Sequence, residues 1–525
     1  MTSMTDASGT TAGQALSARH ALSSRLRVAA RYIPGADADS PQDADPAADA
    51  AAVLEALVVA LIARPAADSL WLVLTAISTC YPTRGEIDAA RRMFELDEPI
   101  DIALRLLDEG LDRARRFGEP LADLEIVVGG VVVDVEHTAR YNLHTGIQRV
   151  VRHLMPYWVE HGVLAVAWTS NGGMFRRLDP RETQRVFDWS TSGDAGEGPD
   201  HARARSDGDR HPALVVPWRS VVVLAEVPRA TVSDRLAALG DRSGNRVVGI
   251  GYDAIPVVSA DLVPPVESSK FVRYLTALKF SSRIAGISAA ATAEIGGFVQ
   301  MLVAQGLPGP VVTEVSLPAP PAVRGSGKPN GGPPLILVVG SHEPRKNHLA
   351  VLHAAEVLWR EGLRFRLTFI GGSGWGDDFP RLAADRARSG RPVVVLKAVS
   401  DEVLDKAMDD AAFTVFPSLH EGYGLPVVES LAHGTPAITS NFGSTLEIAR
   451  GGGAMTVDPR DDKALTDAIR VLLVDPTALA ELRAQIGSRT TRGWDGYADA
   501  LWGEIVTPEL AELADQPARR QEGAR

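Results

Sequence analysis

From residue 125 onwards, short runs of β-branched residues alternate with stretches that have helical spacing. The apolar runs, in chain order, are EIVVGGVVVDV, SVVVLAEV, RVVGIGYDAIPVV, LILVVGS, FRLTFIGG, PVVVLKAV, AAFTVFPS and PAITSN. Continuous apolar runs of this length are typical of strands that are buried on both faces of a parallel sheet. Because helical patterns separate these runs, the sequence predicts an α/β fold built from doubly wound, Rossmann-like sheets.

Changes in composition predict where the domains lie in this chain of 525 residues. The stretch RGSGKPNGGPP, residues 324–334, is rich in Gly and Pro and is interpreted as a linker. It separates two expected α/β domains, over residues 125–323 and 335–492. Residues 50–118 have helical spacing and predict a small helical domain. Residues 1–48 are rich in Ala, Asp, Ser and Gly without periodicity, so we expect a mostly disordered leader there.

Further polar segments lack periodicity as well. Residues 190–212 predict a solvated insertion in the first α/β domain, and residues 514–525 predict a flexible tail. The leader contains two D-x-D triplets, Asp37–Asp39 and Asp43–Asp45, of a kind that can hold a metal ion together with a nucleotide sugar. No strand or apolar run frames either triplet, so we interpret both as acidic low-complexity sequence and expect no metal site.

The net charge and the cysteine content argue against some classes of partner and of cellular location. A formal charge of -12 and a sequence pI near 5.5 argue against nucleic acid as the main partner. Cys80 is the only cysteine in the sequence, which excludes an internal disulfide and favours a reducing, cytoplasmic setting. The first residues lack a basic segment followed by an apolar core, and the apolar run near residues 51–63 is too short to span a bilayer, so we expect neither secretion nor membrane spanning. Arginine outnumbers lysine, which favours a bacterial chain from a GC-rich genome.

The stretch HEGYGLPVVESLAHGTP, residues 420–436, carries two glutamates around a Gly-x-Gly-x-Pro turn. We expect Glu421 in the loop after a strand, and Glu429 one turn into a helix that Pro426 opens. In a parallel sheet, ligands bind beyond the carboxyl ends of the strands, where helix N-termini offer free N–H groups. On its own, Glu429 would be interpreted as a first-turn carboxylate that stabilises the helix dipole. With the glycines of the turn allowing close backbone approach, the loop instead predicts binding of a sugar or a ribose, whose neighbouring hydroxyls a carboxylate accepts.

A second loop supplies positive charge. The run LILVVG ends at Gly340, and in the following SHEPRKN loop Arg345 and Lys346 fall on the same predicted sheet edge, ahead of an amphipathic helix. Lysine is rare in this chain, so its position beside an arginine favours a function over compositional drift. Arginine offers a planar fork and lysine a compact point charge, so the pair can neutralise a departing diphosphate without a metal ion.

Together these residues resemble a known family. The stretch FPSLHEGYGLPVVESLAHGTPAITSNFGSTLEI is similar to the E-x7-E signature region of retaining GT-B glycosyltransferases of family 4, and VVGSHEPRKNHLAVLHA is similar to their diphosphate loop. DVEHTARYNLHTGIQRVVRHL resembles the first strand, loop and helix of their amino-terminal domain, most closely in mannosyltransferase-like members. The resemblance covers roughly residues 125–505. It implies two Rossmann-like domains that face a cleft, the first on the acceptor side and the second binding the nucleotide sugar. GWDGYADALWGEI, residues 493–505, resembles the closing helix that crosses back to the first domain, which we expect over residues 493–513. The helical region before residue 119 lies outside the resemblance.

The resemblance implies roles for individual residues. Arg345 and Lys346 would hold the nucleotide diphosphate, and Glu421 would lie near the hydroxyls of the donor sugar; these three form the expected catalytic set. Glu429 would hydrogen-bond the donor ribose. The other expected donor contacts, from the two loops, the helix N-terminus and the facing domain, are Gly340, Gly422, Gly424, Leu425, Pro426, Thr145 and Gly146.

The resemblance also implies the substrates and the mechanism. Departure of the leaving group places negative charge on the diphosphate, so Arg345 and Lys346 stabilise the transition state more than the ground state. Members of this family retain the anomeric configuration, and a leaving phosphate oxygen is thought to take the acceptor's proton, so no protein nucleophile and no cofactor are assigned. The implied substrates are a nucleoside diphosphate sugar and a saccharide or lipid-linked acceptor, and a lipid-linked acceptor allows peripheral attachment at the inner face of a membrane.

The sequence departs from the family pattern at two positions, and two further residues need an interpretation. Many relatives carry a His-Asp pair where this chain has Tyr252 and Asp253; we keep Asp253 as an acceptor-side or sugar-contacting residue, with loop capping as the alternative. Lys397 stands where a glycine is common, so we expect the nucleobase pocket to differ. Ser288 is interpreted as a helix N-cap. His420, beside Glu421, is left open between a satisfied loop histidine and a functional one.

Three functions remain open from the sequence. The leading one is a cytoplasmic, metal-independent, retaining glycosyltransferase that moves a hexose. A nucleotide-sugar epimerase or hydrolase could use the same fold and would consume the donor without any acceptor. A non-catalytic nucleotide-sugar-binding assembly subunit would bind the donor without turnover and would dock a partner protein through residues 50–118.

Overall fold

The computed structural model of the protein describes residues 6–36, 45–142, 145–188, 213–319, 332–375, 378–397 and 399–522. Within these residues the chain forms two sheets flanked by helices, one sheet before and one after residues 320–331. Most strand pairs are parallel, which confirms the predicted α/β class. Because parallel strands end at the same edge of a sheet, each sheet gathers its strand-to-helix loops at one edge.

The first sheet has nine strands within the described residues, in the order β1-β5-β4-β3-β2-β6-β7-β8-β9. They are β1 (Leu124–Val128), β2 (Val131–Asp134), β3 (Leu164–Trp168), β4 (Phe175–Arg177), β5 (Leu214–Trp218), β6 (Val221–Leu224), β7 (Arg246–Gly251), β8 (Arg283–Gly286) and β9 (Val311–Glu314). Only β4 is antiparallel to its neighbours β3 and β5 among these pairs.

The second sheet has six strands in the described part of the chain, in the order β12-β11-β10-β13-β14-β15, and all its pairs are parallel. They are β10 (Leu335–Val339), β11 (Arg366–Ile370), β12 (Val393–Leu396), β13 (Phe413–Phe416), β14 (Ala437–Ser440) and β15 (Ala454–Val457). The strand order reverses direction between β10 and β13, which is the position where ligands bind in doubly wound sheets.

The helices of the described residues are α1 (Asp6–Ala30), α2 (Pro46–Ala63), α3 (Ala67–Ser78), α4 (Arg84–Leu96), α5 (Pro99–Phe117), α6 (Glu136–Arg140), α7 (Gly146–Trp158), α8 (Pro180–Phe187), α9 (Ser233–Arg242), α10 (Ile255–Val258), α11 (Pro265–Leu278), α12 (Ala289–Ala304), α13 (His348–Arg360), α14 (Asp378–Arg388), α15 (Asp401–Asp410), α16 (Leu425–Ala432), α17 (Gly443–Ala449), α18 (Asp462–Val474), α19 (Pro476–Ile486), α20 (Trp494–Leu501) and α21 (Thr507–Glu522). A π-helical turn, Trp502–Val506, joins the last two.

The run EIVVGGVVVDV, predicted as one strand, forms two strands that are not neighbours. Gly129 has a positive φ of 61°, a conformation that glycine adopts most readily, and turns the chain between β1 and β2. As a result β1 pairs with β5, whereas β2 lies between β3 and β6. The run is apolar throughout, so its two glycines are the only sign of this turn in the sequence.

Helices α1 to α5 share one hydrophobic core with the first sheet. Trp71 of α3 and Tyr81 after it are fully buried, and the Tyr81 ring lies 5.8 Å from the ring of Trp168 in β3. The Tyr81 hydroxyl donates to the carbonyl of Val215 in β5 at 2.5 Å. The region 50–118, predicted as a small helical domain, is helical and packs as one layer of the first domain.

The structure differs from the predicted disordered leader over residues 1–48. Residues Asp6–Ala30 form α1, and Leu22 and Leu26 near its end are buried in the core shared with the sheet. Alanine-rich sequence has high helix propensity, and a few apolar residues on one face are enough to dock it. The two D-x-D triplets lie outside the described residues except for Asp45, which caps the N-terminus of α2.

Among the described residues, one helix is long and apolar enough to cross a membrane by length and composition alone. It is α2, and half of that stretch is buried inside the fold. Leu54, Leu57 and Leu61 face α1 and α5 in the shared core. This pattern is that of a core helix.

The chain returns to the first domain after the second sheet. Tyr497, Leu501 and Ile505 are fully buried in a cluster with β2, β6 and α7. The indole N–H of Trp158 in α7 donates to the carbonyl of Ala498 at 3.2 Å. Helix α21 continues to Glu522, so residues predicted as a flexible tail from 514 are helical up to that point. The predicted insertion at 190–212 and most of the predicted linker at 324–334 lie outside the described residues.

Candidate functional site

The loop after β10 presents Arg345 and Lys346 at the carboxyl edge of the second sheet. Both lie in a single 3-10 turn, Pro344–Lys346, which ends at Asn347 with a left-handed φ of 57° before α13 begins. The carbonyl of Arg345 accepts a hydrogen bond from the backbone N–H of Leu419 at 2.7 Å. This bond ties the loop to the one after β13 and brings the two cations to the position where the strand order reverses.

Glu421, in the loop after β13, binds both cations. Its carboxylate accepts from Arg345 Nη1 at 2.9 Å and from Lys346 Nζ at 2.6 Å. Burial would raise the pKa of the Glu421 carboxyl, but the two cations outweigh it and lower the pKa to about 2. Burial lowers the pKa of the Lys346 ammonium, and Glu421 acts against that shift. The three residues predicted as the catalytic set therefore form one buried, charged cluster.

Further contacts hold the two cations in place. Arg345 Nε donates to Glu343 at 2.6 Å, and Lys346 Nζ lies 4.9 Å from the centre of the Phe416 ring. Gly340, at the start of the loop, keeps close to the lysine stem, since a Cβ there would lie 3.7 Å from Lys346 Cδ. The cluster has fixed geometry, which suits recognition of one anionic group at one position.

The glycines of the turn serve contact between the two domains. A Cβ at Gly422 would lie 2.3 Å from the carbonyl oxygen of Tyr252, so only glycine allows this approach. The Gly422 carbonyl accepts from the Ser288 hydroxyl at 2.7 Å. Ser288 also caps α12, the role that the sequence predicted for it. Gly424 has a φ of 122° and turns the chain into α16, where Leu425 and Pro426 form the first turn.

Glu429 lies on α16 and forms an ion pair with Arg149 of α7, across the two domains. Both side chains are partly exposed, Arg149 at 33% and Glu429 at 21%. Burial raises the pKa of the Glu429 carboxyl, and Arg149 acts against that shift. The predicted ribose-binding carboxylate thus has a partner from the facing domain that the sequence reasoning missed. The only signal in the sequence was the position of Arg149 one turn after Thr145.

Thr145 and Gly146 open α7 on the facing domain. Thr145 is the N-cap and forms a capping box with Gln148. A Cβ added to Gly146 would lie 3.4 Å from Leu425 of α16, so the start of α7 faces the start of α16. The structure therefore brings the predicted first-domain and second-domain donor contacts to the same place.

Asp253 and Tyr252 follow β7 and point in different directions. The Tyr252 hydroxyl donates to the carbonyl of Ala225 at 2.7 Å inside the first domain, and the side chain is buried in the core. Asp253 faces the second domain, since its carboxylate would lie 3.1 Å from a Cβ at Gly422. Burial raises the pKa of Asp253, and Arg345 acts against that shift. Of the two residues, Asp253 is the one that meets the charged cluster.

His420 connects the two domains through its ring. Its Nδ1 lies 2.7 Å from the hydroxyl of Ser259, and its Nε2 lies 2.6 Å from the carboxylate of Glu294 on α12. The sequence reasoning left His420 open and missed both partners. Glu294 lies within an apolar helix pattern, where nothing local marks it as a residue that contacts another domain.

A cavity of about 420 Å³ lies between the domains beside Glu421. That volume is in the range of small-molecule sites. Hydroxyl, carboxylate and imidazole groups from both domains line it, and the polar lining residues are Ser259, Asp261, Glu294, Ser418, His420, Glu421, Ser444, Thr445 and Arg460. Such groups suit a ligand with several hydroxyls.

Two other features of the site concern metal and nucleobase. No group of three or more His, Cys, Asp or Glu side chains is arranged to hold a metal ion in the part of the chain that the structure describes. Lys397, after β12, is exposed and donates to the hydroxyl of Ser373 at 3.1 Å. It follows β12, an outermost strand of the second sheet. This is the position where the sequence predicted an altered nucleobase pocket.

Comparisons with known proteins cover the second domain best. Residues 321–492 match a family model described as Glycosyl transferases group 1. Over 140 residues the chain is 34% identical to an O-antigen chain mannosyltransferase B of Escherichia coli, an alignment that covers 26% of this chain and 36% of that protein. Over 340 residues it is 24% identical to a serotype-specific mannosyltransferase WbdA of Escherichia coli, covering 61% of this chain and 40% of that protein.

The chain therefore spans 36% and 40% of the length of these two relatives. Among solved structures, a sucrose-phosphate synthase from Thermosynechococcus elongatus superposes with a TM-score of 0.47 and 16% identity, over 75% of this chain and 100% of that one.

Proposed function

We propose that the protein is a retaining glycosyltransferase, from the premise that residues 321–492 match the glycosyl transferases group 1 family model. It moves a hexose from a nucleoside diphosphate sugar to a saccharide or lipid-linked acceptor. The two Escherichia coli relatives are named mannosyltransferases, so nucleotide-linked mannose is the first donor to test.

One observation of the structure carries this proposal. Arg345 and Lys346 converge on Glu421 at the carboxyl edge of the second sheet, opposite the first domain. A diphosphate that replaces or shares the Glu421 contact gains two charge-assisted partners in a buried setting. The same carboxylate is then free to accept from hydroxyls of the donor sugar.

The mechanism follows from how charge develops. When the bond between the sugar and the diphosphate breaks, negative charge grows on the leaving group, and Arg345 and Lys346 stabilise it. The sugar carries the matching positive charge, next to the Glu421 carboxylate. In the proposed retaining reaction, the leaving phosphate oxygen takes the acceptor's proton on the same face of the sugar, so no protein nucleophile is required.

We also propose that the reaction needs no metal ion. Two cations on the diphosphate make a metal ion unnecessary for leaving-group departure. We propose a cytoplasmic location, at the inner face of a membrane if the acceptor is lipid-linked. An assembly subunit that only binds the nucleotide sugar is the competing proposal, because α4 and α5 expose Leu96, Ile100 and Leu104 to a partner.

The first test is calorimetric titration of the wild type and of Lys346→Ala with UDP, GDP, ADP and dTDP, with and without EDTA. We expect one nucleotide to bind, binding to survive EDTA, and Lys346→Ala to weaken it about tenfold or more, since a hydrogen bond to a charged group is lost. The control is Lys406→Ala, which removes a lysine of the same domain whose side chain is 75% exposed.

The outcomes separate the proposals. Failure of all four nucleotides to bind, or an equal loss in Lys406→Ala, would contradict the donor site. Binding without turnover of any nucleotide sugar on saccharide acceptors would favour the assembly subunit. Consumption of donor at the same rate with and without acceptor would favour a hydrolase or an epimerase.

A further inference from the structure

His420 is held on both ring nitrogens by groups of the facing domain. Ser259 lies at Nδ1, 2.7 Å away, and Glu294 lies at Nε2, 2.6 Å away. The His420 and Glu294 side chains are only 15% and 14% exposed. A histidine with two partners from one other domain is fixed in orientation and couples the two domains directly.

Glu294 extends this contact to the backbone beside Asp253. One carboxylate oxygen of Glu294 meets the His420 ring, and the other accepts from the backbone N–H of Ala254 at 2.7 Å. Ser259 lies at the far end of the same segment, after α10. His420 therefore contacts one end of residues 254–259 directly and the other end through Glu294. Ser259, Asp261 and Leu262 line the cavity.

On its other side, His420 belongs to the cation cluster. Its carbonyl accepts from Arg345 Nη1 at 3.3 Å, and its neighbour in the chain is Glu421. Because the bond to Arg345 is made by the backbone of His420, a change of the His420 side chain leaves that bond in place.

We propose that His420, in its protonated form, is a positioning residue that holds the acceptor-side segment 254–262 against the Arg345–Lys346–Glu421 cluster. The proposal rests on the proposed function, because it assigns this segment to the acceptor. Glycosyl transfer then depends on the charge of His420 through acceptor binding, whereas nucleotide binding does not.

Three carboxylates that act on His420 favour a protonated ring: Glu294 from α12, Asp253 after β7, and Glu421 of the second domain. The other charged groups nearby are Arg345, which donates to the His420 carbonyl, and Asp261 and Arg460, which line the same cavity. The hydrogen bond with Glu294 raises the pKa of His420 above its usual value, although burial acts the other way. Because the folded pKa is raised, the contact is complete at low pH and weakens as pH rises through that pKa. Above it, the ring loses its positive charge, so the salt bridge with Glu294 becomes a hydrogen bond from a neutral imidazole to a carboxylate.

The experiment measures hydrogen exchange of the 254–262 backbone between about pH 6 and about pH 9, corrected for intrinsic exchange. This segment is informative because Ala254 donates to Glu294 and Ser259 donates to Ile255. In the wild type we expect protection to fall about fivefold over this range, because the hydrogen bond between His420 and Glu294 loses the positive charge of its donor. In His420→Gln and in Glu294→Gln, protection should be lower at about pH 6 and nearly independent of pH.

The matched control is His353→Gln, the same substitution at an exposed histidine of α13 in the same domain. It should keep the wild-type pH dependence. Protection that does not change with pH in the wild type, or that changes equally in His420→Gln, overturns the proposal. Glu294→Gln provides the same test if His420→Gln does not fold.

Nucleotide titration of the same proteins separates this inference from the proposed function. We expect the wild type, His420→Gln and Glu294→Gln to bind the nucleoside diphosphate with affinities within about twofold of one another, while the KM for a saccharide acceptor rises in both variants. If no protein binds nucleotide, the proposed function fails, whatever the exchange data show. If nucleotide binds and the acceptor KM is unchanged in both variants, the positioning role fails.

Discussion

At the scale of single residues, Glu421 shows how much of the site is already in place. This carboxylate is expected to lie near the donor sugar, and its two oxygens accept hydrogen bonds from Arg345 and Lys346. A carboxylate has about four acceptor positions, so sugar hydroxyls can still reach it. The cations are thereby kept in position before any anion arrives.

The Glu421→Gln variant tests how much this carboxylate stabilises the fold. At neutral pH the change should lower the free energy of unfolding by about 3 kcal/mol, because two largely buried cations lose their anionic partner. The pKa of Glu421 is lowered from 4.5 to about 2, so its contribution is present above the former value and is lost as pH falls towards the latter. Thermal unfolding of wild type and variant should therefore converge between these two pH values. An exposed acid on α15, Glu402→Gln, is the control, and a difference that stays constant down to about pH 3 would contradict the prediction.

Site residues that stand in a distinctive local pattern could be predicted from the sequence. The residues of the facing domain that contact them could not. The loops with Arg345 and Glu421 each follow a strong apolar run, which placed both residues at the sheet edge. Arg149 and Glu294 lie in helices far away in the chain, and their roles depend on how the two domains face each other. A single sequence holds no local signal for such a contact.

At the scale of elements, α7 and α16 meet through Arg149 and Glu429. If Glu429 binds the donor ribose, the ribose hydroxyls and Arg149 compete for the same carboxylate. Partly exposed ion pairs contribute modestly, usually less than about 1 kcal/mol. The pair is therefore weak enough for a ribose to replace it and strong enough to affect affinity.

Arg149→Met should tighten binding of the nucleoside diphosphate that the wild type binds, by about two- to fivefold, because no ion pair has to be broken. Calorimetry with the same nucleotide and with its 2′,3′-dideoxy form tests this. The dideoxy nucleotide should bind wild type and variant alike. Arg149→Lys, which keeps the charge, should lie closer to the wild type. Weaker binding to Arg149→Met would show that Arg149 holds the nucleotide and does not compete with it.

The elements that the sequence missed share physical causes. Strand β4 has only three residues, Phe175–Arg177, and is antiparallel, so it shows no apolar run. Helix α1 is rich in small residues and has no apolar stripe in the sequence, although Leu22 and Leu26 are buried. Helix α5 has a clear amphipathic pattern, so the sequence predicted it correctly, but it could not show that the buried face of α5 shares a core with the first sheet.

At the scale of the whole molecule, the two sheets are joined by more than residues 320–331. Helices α20 and α21 leave the second sheet and complete the core of the first one. Glu509 of α21 forms an ion pair with Arg283 of β8 at 2.9 Å. The core of the first domain therefore depends on residues that follow the second domain in the chain.

Leu501→Ala should therefore destabilise the first domain more than the second. Leu501 is fully buried, and such truncations usually cost about 2–5 kcal/mol. Hydrogen exchange should become faster in β6 to β8 while β13 and β14 change little. Leu96→Ala, at a side chain that is 80% exposed, is the control and should change stability by less than about 0.5 kcal/mol. Equal acceleration in both sheets would show that the domains unfold as one unit.

The return of α20 and α21 to the first domain has a consequence for synthesis on the ribosome. The first sheet is translated well before the helices that fill its core, because the whole of residues 335–492 lies between them. At about 5–20 residues per second, this segment keeps the first domain incomplete for roughly ten to thirty seconds. During that time the surface that later receives Tyr497 and Leu501 stays uncovered, and the second domain is free to finish first. The first domain of this protein therefore cannot finish folding before the second has been translated, unlike the first domain of a chain whose domains fold in the order of translation.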